Sequence, residues 1–284
     1  MIFLGYVKGM KNLNKLSFMK MHGLGNDFVI LDLRGSSYIV DEKLVISLSD
    51  RNRGVGFDQL VVISSSKNSD LSLTFFNADG SRISTCGNAT RCVAHYEMKR
   101  LGLKTLKIMT DRGLLQAKLL DGSRTTVNMG HPFLKWNEIP LSEDVDTLNL
   151  PIEGLPTATG MGNPHCTFFV DNAEKYDLND YGKRFEKHPL FPHGTNIQIV
   201  NVTDKNCLRM RVWERGVGHT LASGSSACAS AVAATRLGLT ESLVTVHLDG
   251  GQLEIDWQES GVWMTGESTH VFSGYLTDEF LLSI

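Results

Sequence analysis

Apolar positions recur at strand spacing in both halves of the chain. Residues 28–33 and 167–170 are short apolar runs, whereas residues 71–76 and 208–213 alternate between apolar and polar positions. These patterns are typical of β-strands that are buried on both faces or on one face, respectively. Each half of the chain is therefore predicted to contain a sheet.

One helix is predicted in each half, at residues 89–101 and 226–237. Both segments are composed of alanine or other helix-permitting residues, and each leads into a glycine, the usual signal for the end of a helix. The segments that follow, 105–129 and 243–265, are predicted to form strands joined by turns at Asp-Gly pairs. The prediction is an α+β chain in which a mostly antiparallel sheet folds around one buried helix, twice.

The two halves also resemble each other in sequence. GLGNDFVILD is similar to GMGNPHCTFFVD, and NADGSRISTCGNATRC aligns with ERGVGHTLASGSSAC. A spacing of 137 pairs Asn26 with Asn163 and Cys86 with Ser223. Such an internal repeat indicates two homologous domains. We expect an N-terminal extension at 1–15, a first domain formed by 16–131 and 270–284, and a second domain at 132–269.

Composition excludes several classes of protein. The 284 residues carry 28 Lys and Arg against 31 Asp and Glu, a net charge of −3, without a basic block that would favour nucleic-acid binding. Apolar runs stay below the roughly 20 residues needed to span a bilayer, so membrane insertion is not expected. The five cysteines, an odd number, predict free thiols in a reducing compartment. Their spacing does not suit zinc, and no metal is expected.

Candidate chemistry lies at the starts of the two predicted helices. Cys86 precedes Gly87 and Asn88, where free backbone N–H groups and the helix dipole bind a carboxylate and lower a thiol pKa. The alternative is that Cys86 is a small buried apolar residue. Ser223 precedes Gly224 in the same way and presents a hydroxyl instead of a thiol.

Two such helix termini facing each other suit inversion of a carbon centre. One group removes a proton from one face of the carbon while its counterpart donates a proton to the other face. A pyridoxal site or nucleotide loop is not evident, because GLGNDF lacks the full dinucleotide spacing. No cofactor is therefore expected.

Motifs along the chain resemble those of the diaminopimelate epimerase family. They are KMHGLGNDF, GFDQL, FFNADGS with TCGN, GNPH, and WERGVG with SGSSAC, and the similarity runs from about residue 18 to the C-terminus. The resemblance implies a cofactor-independent enzyme that interconverts LL- and meso-diaminopimelate by two-base proton transfer, in bacterial lysine and peptidoglycan-precursor synthesis. It also implies two pseudo-symmetric domains with the active site in the cleft between them, and residence in the cytoplasm. The oligomeric state stays open, with a homodimer as one assembly to test.

The resemblance assigns roles to individual residues. The two catalytic cysteine positions fall on Cys86 and Ser223. Residues that assist the two bases and hold the α-ammonium group fall on His165 and Glu214. The positions that bind the distal amino and carboxylate groups of the substrate are Asn77, Asn163, Asn196 and Arg215. Asn26 and Gln59 line the site. The backbone donors to the α-carboxylate are those of Gly87, Asn88, Gly224 and Ser225.

The serine is the main departure from the family pattern. A hydroxyl is too weak an acid to ionise as a thiol does, and it acts as a base only when another group takes its proton. His165 and Glu214 are the candidates for that group. Our hypothesis is that Cys86 retains deprotonation on one face, while net epimerisation is greatly weakened. The further departures at Ala89, His219 and Ser226 favour natural divergence.

Other interpretations remain open from the sequence. The chain is alternatively a racemase of another amino acid in the same family, although the distal-group residues argue against this, or a catalytically inert diaminopimelate-binding paralogue. Without the resemblance, His165 suits a turn, Glu214 and Arg215 suit a surface ion pair, and the asparagines suit helix caps and turns.

Overall fold

Each half of the chain folds around one central helix in the computed structural model, which describes residues 16–122 and 124–284. The extension expected at residues 1–15 lies outside the described residues. Within the described residues, no helix is both long and apolar enough to cross a membrane.

The elements follow the same order in the two halves. The first half contains β1 (Ser17–Gly23), β2 (Asn26–Asp32), α1 (Glu42–Ser49), β3 (Gln59–Ser64), β4 (Leu71–Asn77), β5 (Arg82–Ile83), α2 (Gly87–Leu101), β6 (Thr105–Thr110), β7 (Gly113–Leu119) and β8 (Arg124–Asn128). The second half contains β9 (Thr157–Gly160), β10 (Pro164–Phe169), a short 3-10 helix (Ala173–Lys175), α3 (Leu178–Phe185), β11 (Asn196–Asp204), β12 (Cys207–Glu214), β13 (Gly218–Thr220), α4 (Gly224–Arg236), β14 (Leu243–Leu248), β15 (Gly251–Gln258) and β16 (Gly261–Glu267). The chain closes with β17 (Thr269–Tyr275) and α5 (Asp278–Leu282).

Strand pairing repeats between the halves as well. The antiparallel pair β1–β2 corresponds to β9–β10, and the parallel pair β2–β3 corresponds to β10–β11. The antiparallel pair β3–β4 and the parallel pair β4–β6 correspond to β11–β12 and β12–β14. The predicted fold class, a mostly antiparallel sheet around a central helix in each of two pseudo-symmetric units, is confirmed.

The two halves share one continuous set of hydrogen-bonded strands. β8 pairs with β16 in antiparallel register from Asn128 opposite Trp263 to Arg124 opposite Glu267. β17 then returns the chain to the first half by pairing with β1. We propose 16–131 with 270–284, and 132–269, as the domain boundaries, with the last boundary one residue inside β17.

The central helices supply much of one apolar core that runs through both halves. Cys92 on α2 and Cys228 on α4 are fully buried in it, in keeping with their apolar neighbours in the sequence. Small side chains on α4 let the surrounding strands approach closely, and close packing of apolar surface is the main stabilising contribution to such a core.

Two boundaries differ from the sequence prediction in ways that affect the site. Both central helices begin two residues earlier than predicted, at Gly87 and Gly224, because tertiary contacts override the low helix propensity of glycine. β10 begins at Pro164, before the apolar run, because it pairs with β9 and β11. His165 therefore lies in a buried strand and not in a turn.

Candidate active site

Cys86 and Ser223 occupy equivalent positions at the N-termini of α2 and α4. Their backbone angles nearly coincide, with φ −143° and ψ 106° for Cys86 and φ −133° and ψ 113° for Ser223. The carbonyl of Cys86 accepts a hydrogen bond from the N–H of Thr90 at 2.9 Å, and the carbonyl of Ser223 accepts one from the N–H of Ala227 at 3.0 Å. The thiol and the hydroxyl thus project from matched backbone.

The N-termini of α2 and α4 lie next to each other, and both lie against the side chain of Met264 in β16. A Cβ atom placed on Gly87 would lie 3.0 Å from Met264 Cε, and one placed on Gly224 would lie 2.8 Å from Met264 Sδ. The Gly224 position also lies 3.2 Å from Asn88 Oδ1 of the other helix. A side chain at either position would force the flexible end of Met264 to move, so glycine suits both positions. The backbone donors of both helices therefore meet at one place.

Amide side chains connect Cys86 to the rest of the first half. The Cys86 thiol donates to Gln59 Oε1 at 3.8 Å, and Asn26 Nδ2 donates to the same oxygen at 3.1 Å. Asn26 Nδ2 also lies 2.9 Å from Asp58 Oδ2. Asn88 Nδ2 donates to Asn26 Oδ1 at 3.3 Å. The structure thus brings four residues of the sequence-based assignment into one hydrogen-bonded group.

The pKa of Cys86 differs from the sequence-based expectation. Burial raises the pKa of Cys86 to about 12, and the negative charge of Glu214 adds to this rise, whereas the backbone N–H of Ala89 and the charge of Arg91 oppose it. The backbone N–H at the helix terminus does lower the pKa as expected, but desolvation outweighs it in the free protein, so the expected net lowering is wrong. Cys86 is a thiol at neutral pH, with the Glu214 carboxylate of the other half near enough to influence it.

Ser223 is paired with Glu214. The Ser223 hydroxyl donates to Glu214 Oε2 at 2.9 Å, and the Thr220 hydroxyl donates to Oε1 at 2.6 Å. Burial raises the pKa of Glu214, while these two hydrogen bonds lower it. Of the two groups that the sequence offered as partners for the serine, the structure places Glu214 against its hydroxyl.

His165 is buried and contacts other groups through both ring nitrogens. Nε2 lies 2.9 Å from Asn163 Oδ1, and Nδ1 lies 3.0 Å from Gln198 Nε2 and 3.4 Å from Ser226 Oγ. Since a carbonyl oxygen only accepts, Nε2 carries the proton and Nδ1 accepts. Burial lowers the pKa of His165 from 6.5 to about 3, helped by the positive charges of Arg112 and Arg215. The imidazole is therefore neutral at physiological pH.

Residues assigned to the distal groups shape nearby loops. Asn196 Nδ2 donates to the carbonyl of Pro164 at 2.9 Å, and its Oδ1 accepts from the backbone N–H of Arg215 at 3.0 Å. The exposed Arg215 side chain donates to the carbonyl of His193 at 2.9 Å. In the first half, Asn77 Nδ2 lies 3.1 Å from Ser81 Oγ. Arg215 and Glu214 do not form an ion pair with each other in the described residues.

Three contributors escaped the sequence analysis. Gln198 bridges His165 and Ser226 with its amide nitrogen, and Thr220 donates to Glu214. Gln198 stands among the apolar residues of NIQIV, and a polar residue inside an apolar strand was a usable signal. Met264 carried no such signal, because a methionine in a strand is ordinary core material.

The neutral state of His165 predicts a pH-dependent stability. Because its folded pKa is lowered, the unfolded chain binds the proton more readily, so this histidine costs stability as the pH falls from about 6.5 towards 3. The slope from this group approaches about 1.4 kcal/mol per pH unit. Urea unfolding of the His165→Gln variant should show a free energy of unfolding that falls less between pH 6 and pH 4, whereas His247→Gln, at an exposed position, should keep the original slope. Equal slopes in all three proteins contradict the prediction.

Comparison with known proteins decides the family. The family model described as diaminopimelate epimerase matches residues 18–135 and 157–271. The chain belongs to the diaminopimelate epimerase family. It is 46% identical over 264 residues to a diaminopimelate epimerase of Zymomonas mobilis, covering 91% of this chain and 96% of the relative. The chain is accordingly an isomerase of the racemase and epimerase class.

Solved structures share the fold of this diaminopimelate epimerase family member at low sequence identity. A predicted epimerase from Pseudomonas aeruginosa superposes with a TM-score of 0.68 at 15% identity, covering 92% of this chain and 99% of that one. A PhzF-family phenazine biosynthesis protein from Bacillus anthracis gives a TM-score of 0.67 at 14% identity, covering 93% and 100%. At these identities the likeness supports the fold alone.

Proposed function

We propose that this chain interconverts LL- and meso-diaminopimelate by proton transfer at the α-carbon, with Cys86 and Ser223 serving opposite faces. The observation that carries the proposal is the meeting of two helix N-termini above Met264, with the thiol and the hydroxyl on equivalent backbone. A member of the diaminopimelate epimerase family needs this arrangement to reach both faces of one carbon. The reaction uses no cofactor.

The α-carboxylate is proposed to bind where the two helices meet. Backbone N–H groups at the start of a helix attract an anion, and here two such termini supply them together. We call this place the carboxylate site, formed by the N–H groups of Gly87, Asn88, Gly224 and Ser225. His165 and Glu214 then lie on the side of the α-ammonium group. The distal amino and carboxylate groups are assigned to Asn77, Asn163, Asn196 and Arg215, where the exposed guanidinium of Arg215 supplies the positive charge.

The proton inventory gives each group a role. In the resting state Cys86 holds its proton and Glu214 is the acceptor for the Ser223 hydroxyl. When Ser223 Oγ takes the α-proton, its own proton passes to Glu214, and Cys86 donates its proton to the opposite face and becomes a thiolate. In the reverse direction the thiolate takes the α-proton, and Ser223 donates while Glu214 returns a proton to it. Charge and proton number balance in both directions.

The serine is proposed to make this cycle slow. A carboxylate acting through a hydroxyl is a weaker base than a thiolate, while desolvation makes the thiolate form of the half-buried Cys86 costly. The loss of one well-matched acid or base costs about 10²- to 10⁴-fold in rate. In the form with a thiolate at Cys86 and a proton on Glu214, the thiolate removes the α-proton, the resulting thiol exchanges that proton with solvent, and the solvent-derived proton returns to the same face. This exchange is less affected because it requires no proton transfer by Ser223.

Solvent-deuterium exchange measured separately on each stereoisomer tests the proposal. We expect α-hydrogen exchange to be faster than inversion, and one isomer to exchange much faster than the other, because the two faces are served by unequal groups. Proton NMR follows exchange, and chiral chromatography follows inversion. Inversion as fast as exchange from both isomers contradicts the proposed role of Ser223. Calorimetric binding of diaminopimelate without any exchange favours the inert paralogue, and exchange of another amino acid alone favours a different racemase.

Localisation and assembly are part of the same proposal. A biosynthetic epimerase with free thiols is proposed to act in the cytoplasm, where cysteines stay reduced. A homodimer is the assembly to test, and sedimentation velocity at enzyme-assay concentration distinguishes it from a monomer.

A further inference from the structure

Arg91 of α2 is a fully buried cation without a carboxylate partner among the described residues. Its Nη1 donates to Asn88 Oδ1 at 3.0 Å and its Nε donates to the carbonyl of Glu267 at 3.2 Å, but Nη2 has no acceptor in the described part of the chain. On the same helix, the buried Glu97 carboxylate is paired with Arg34 at 2.7 Å. Burial of a charge without a counter-ion is costly, so the fold gains little from this arginine as a cation.

The guanidinium contacts two groups that adjoin the proposed carboxylate site, Asn88 Oδ1 at 3.0 Å and Met264 Sδ at 3.7 Å. A Cβ atom on Gly23 would lie 2.7 Å from Arg91 Nη2, and one on Gly266 would lie 3.2 Å from its Cζ, so strands of both halves enclose it. Asn88 Oδ1, which accepts from Arg91, is the atom that lies 3.2 Å from the Cβ position of Gly224. One carboxamide therefore separates the buried cation from the meeting point of the two helices.

Arg91 also lies at one end of a series of hydrogen-bonded amides and helps to set their direction. A guanidinium only donates hydrogen bonds, so Asn88 must turn its oxygen towards Arg91 and its nitrogen towards Asn26. Asn26 accepts with its oxygen and presents its nitrogen to Gln59 Oε1, the atom that accepts the hydrogen bond from the Cys86 thiol. Asp58 Oδ2 also accepts from Asn26 Nδ2 at 2.9 Å and holds the far end of the series, so removal of Arg91 would act first on the orientation of Asn88.

We propose that Arg91 is a positioning residue of the carboxylate site, which orients Asn88 and supplies the positive charge whose partner is the substrate α-carboxylate. This inference rests on the proposed function. It explains why a cation is buried next to amides and backbone donors and not next to a carboxylate, since the anion arrives with the substrate. The positive charge of Arg91 also acts at the Cys86 sulfur, where it opposes the rise in pKa that burial causes.

Three variants test the inference: Arg91→Met, Arg91→Lys, and Arg34→Met as a matched control that removes a guanidinium contacting the same helix. Titration with meso-diaminopimelate, followed by calorimetry and by the ligand-induced rise in melting temperature, measures binding without reference to turnover. We expect Arg91→Met to weaken binding at least about tenfold, as for loss of an interaction with a charged group. Arg91→Lys should retain most of the affinity and Arg34→Met all of it. In steady-state kinetics the Arg91→Met effect should appear mainly in KM.

Unchanged affinity in Arg91→Met overturns the inference. The inference is also overturned if Arg91→Lys binds as weakly as Arg91→Met and both variants have melting temperatures well below that of Arg34→Met. That pattern indicates a purely structural residue. If Arg91→Met does not fold, a double-mutant cycle between Arg91→Lys and Asn88→Ala decides: the inference requires non-additive effects on binding, and additive effects reject it.

The same titrations separate this inference from the proposed function. If meso-diaminopimelate does not bind the unchanged chain but L-histidine does, the proposed substrate is wrong, and the variants are compared with L-histidine, whose α-carboxylate is the same group. If neither amino acid binds, both the proposed function and the role of Arg91 are rejected.

Discussion

Replacement of Ser223 by cysteine is expected to raise the rate of net epimerisation by about 10²- to 10⁴-fold, the usual value of a matched acid or base. The new thiol would occupy the N-terminus of α4 on backbone equivalent to that of Cys86, and the Glu214 carboxylate, 2.9 Å from the present hydroxyl, would accept its proton. A free thiol ionises near pH 8.5, and although burial raises this pKa, as it does for Cys86, a thiol remains a much stronger acid than a serine hydroxyl. The initial rate of meso-diaminopimelate formation from the LL isomer, measured by chiral chromatography, checks this prediction.

The same substitution at an exposed position controls for the addition of a thiol. Ser65 is exposed after β3, away from the helix termini, and Ser65→Cys should leave the rate unchanged. A Ser223→Cys variant that is correctly folded and no faster than the unchanged chain would mean that the serine is not the limiting group.

Replacement of Glu214 by glutamine is expected to slow exchange at the Ser223 face by about 10²- to 10⁴-fold. The carboxamide would be similar in size and could still accept a hydrogen bond from Thr220 or Ser223, but it cannot take the serine proton. Deuterium incorporation into the two stereoisomers, measured separately, should fall sharply for the isomer whose proton faces Ser223. Glu254→Gln, at a half-exposed carboxylate paired with Arg124, is the control.

The folded state provides a check on the Glu214 experiment. Loss of this half-buried carboxylate should leave the melting temperature close to that of the unchanged protein, because desolvation already disfavours the ionised form. Unchanged exchange of both isomers in a folded Glu214→Gln protein would remove this carboxylate from the mechanism and leave Ser223 without a base.

The sequence repeat was sufficient to predict the fold, because register is set by patterns that lie along the chain. The spacing that pairs Cys86 with Ser223 placed both at helix starts, and both became the residues that precede α2 and α4. Apolar runs located the main strands, although β10 extended beyond its run through pairing with its neighbours. Local pattern and tertiary contact agree in these elements, which is why sequence was an adequate guide.

The protonation states could not be predicted from the sequence. The pKa of Cys86 depends on burial and on the Glu214 carboxylate of the other half, which no local motif reports. The choice of Glu214 over His165 as the partner of Ser223 likewise depends on where β12 and β13 place their side chains. Arg91 escaped notice because a basic residue on a helix is usually solvated, and only the packed structure shows it enclosed.

The nearly identical backbone at the two helix starts carries a thermodynamic consequence. A catalyst does not change the equilibrium ratio of stereoisomers. An active site with sulfur at one helix start and oxygen at the other must therefore accelerate both directions by the same factor. The difference between the two groups is detected only by isotopic labelling, which measures the rate of proton exchange at each face of the α-carbon. The final ratio of isomers equals the equilibrium ratio in free solution.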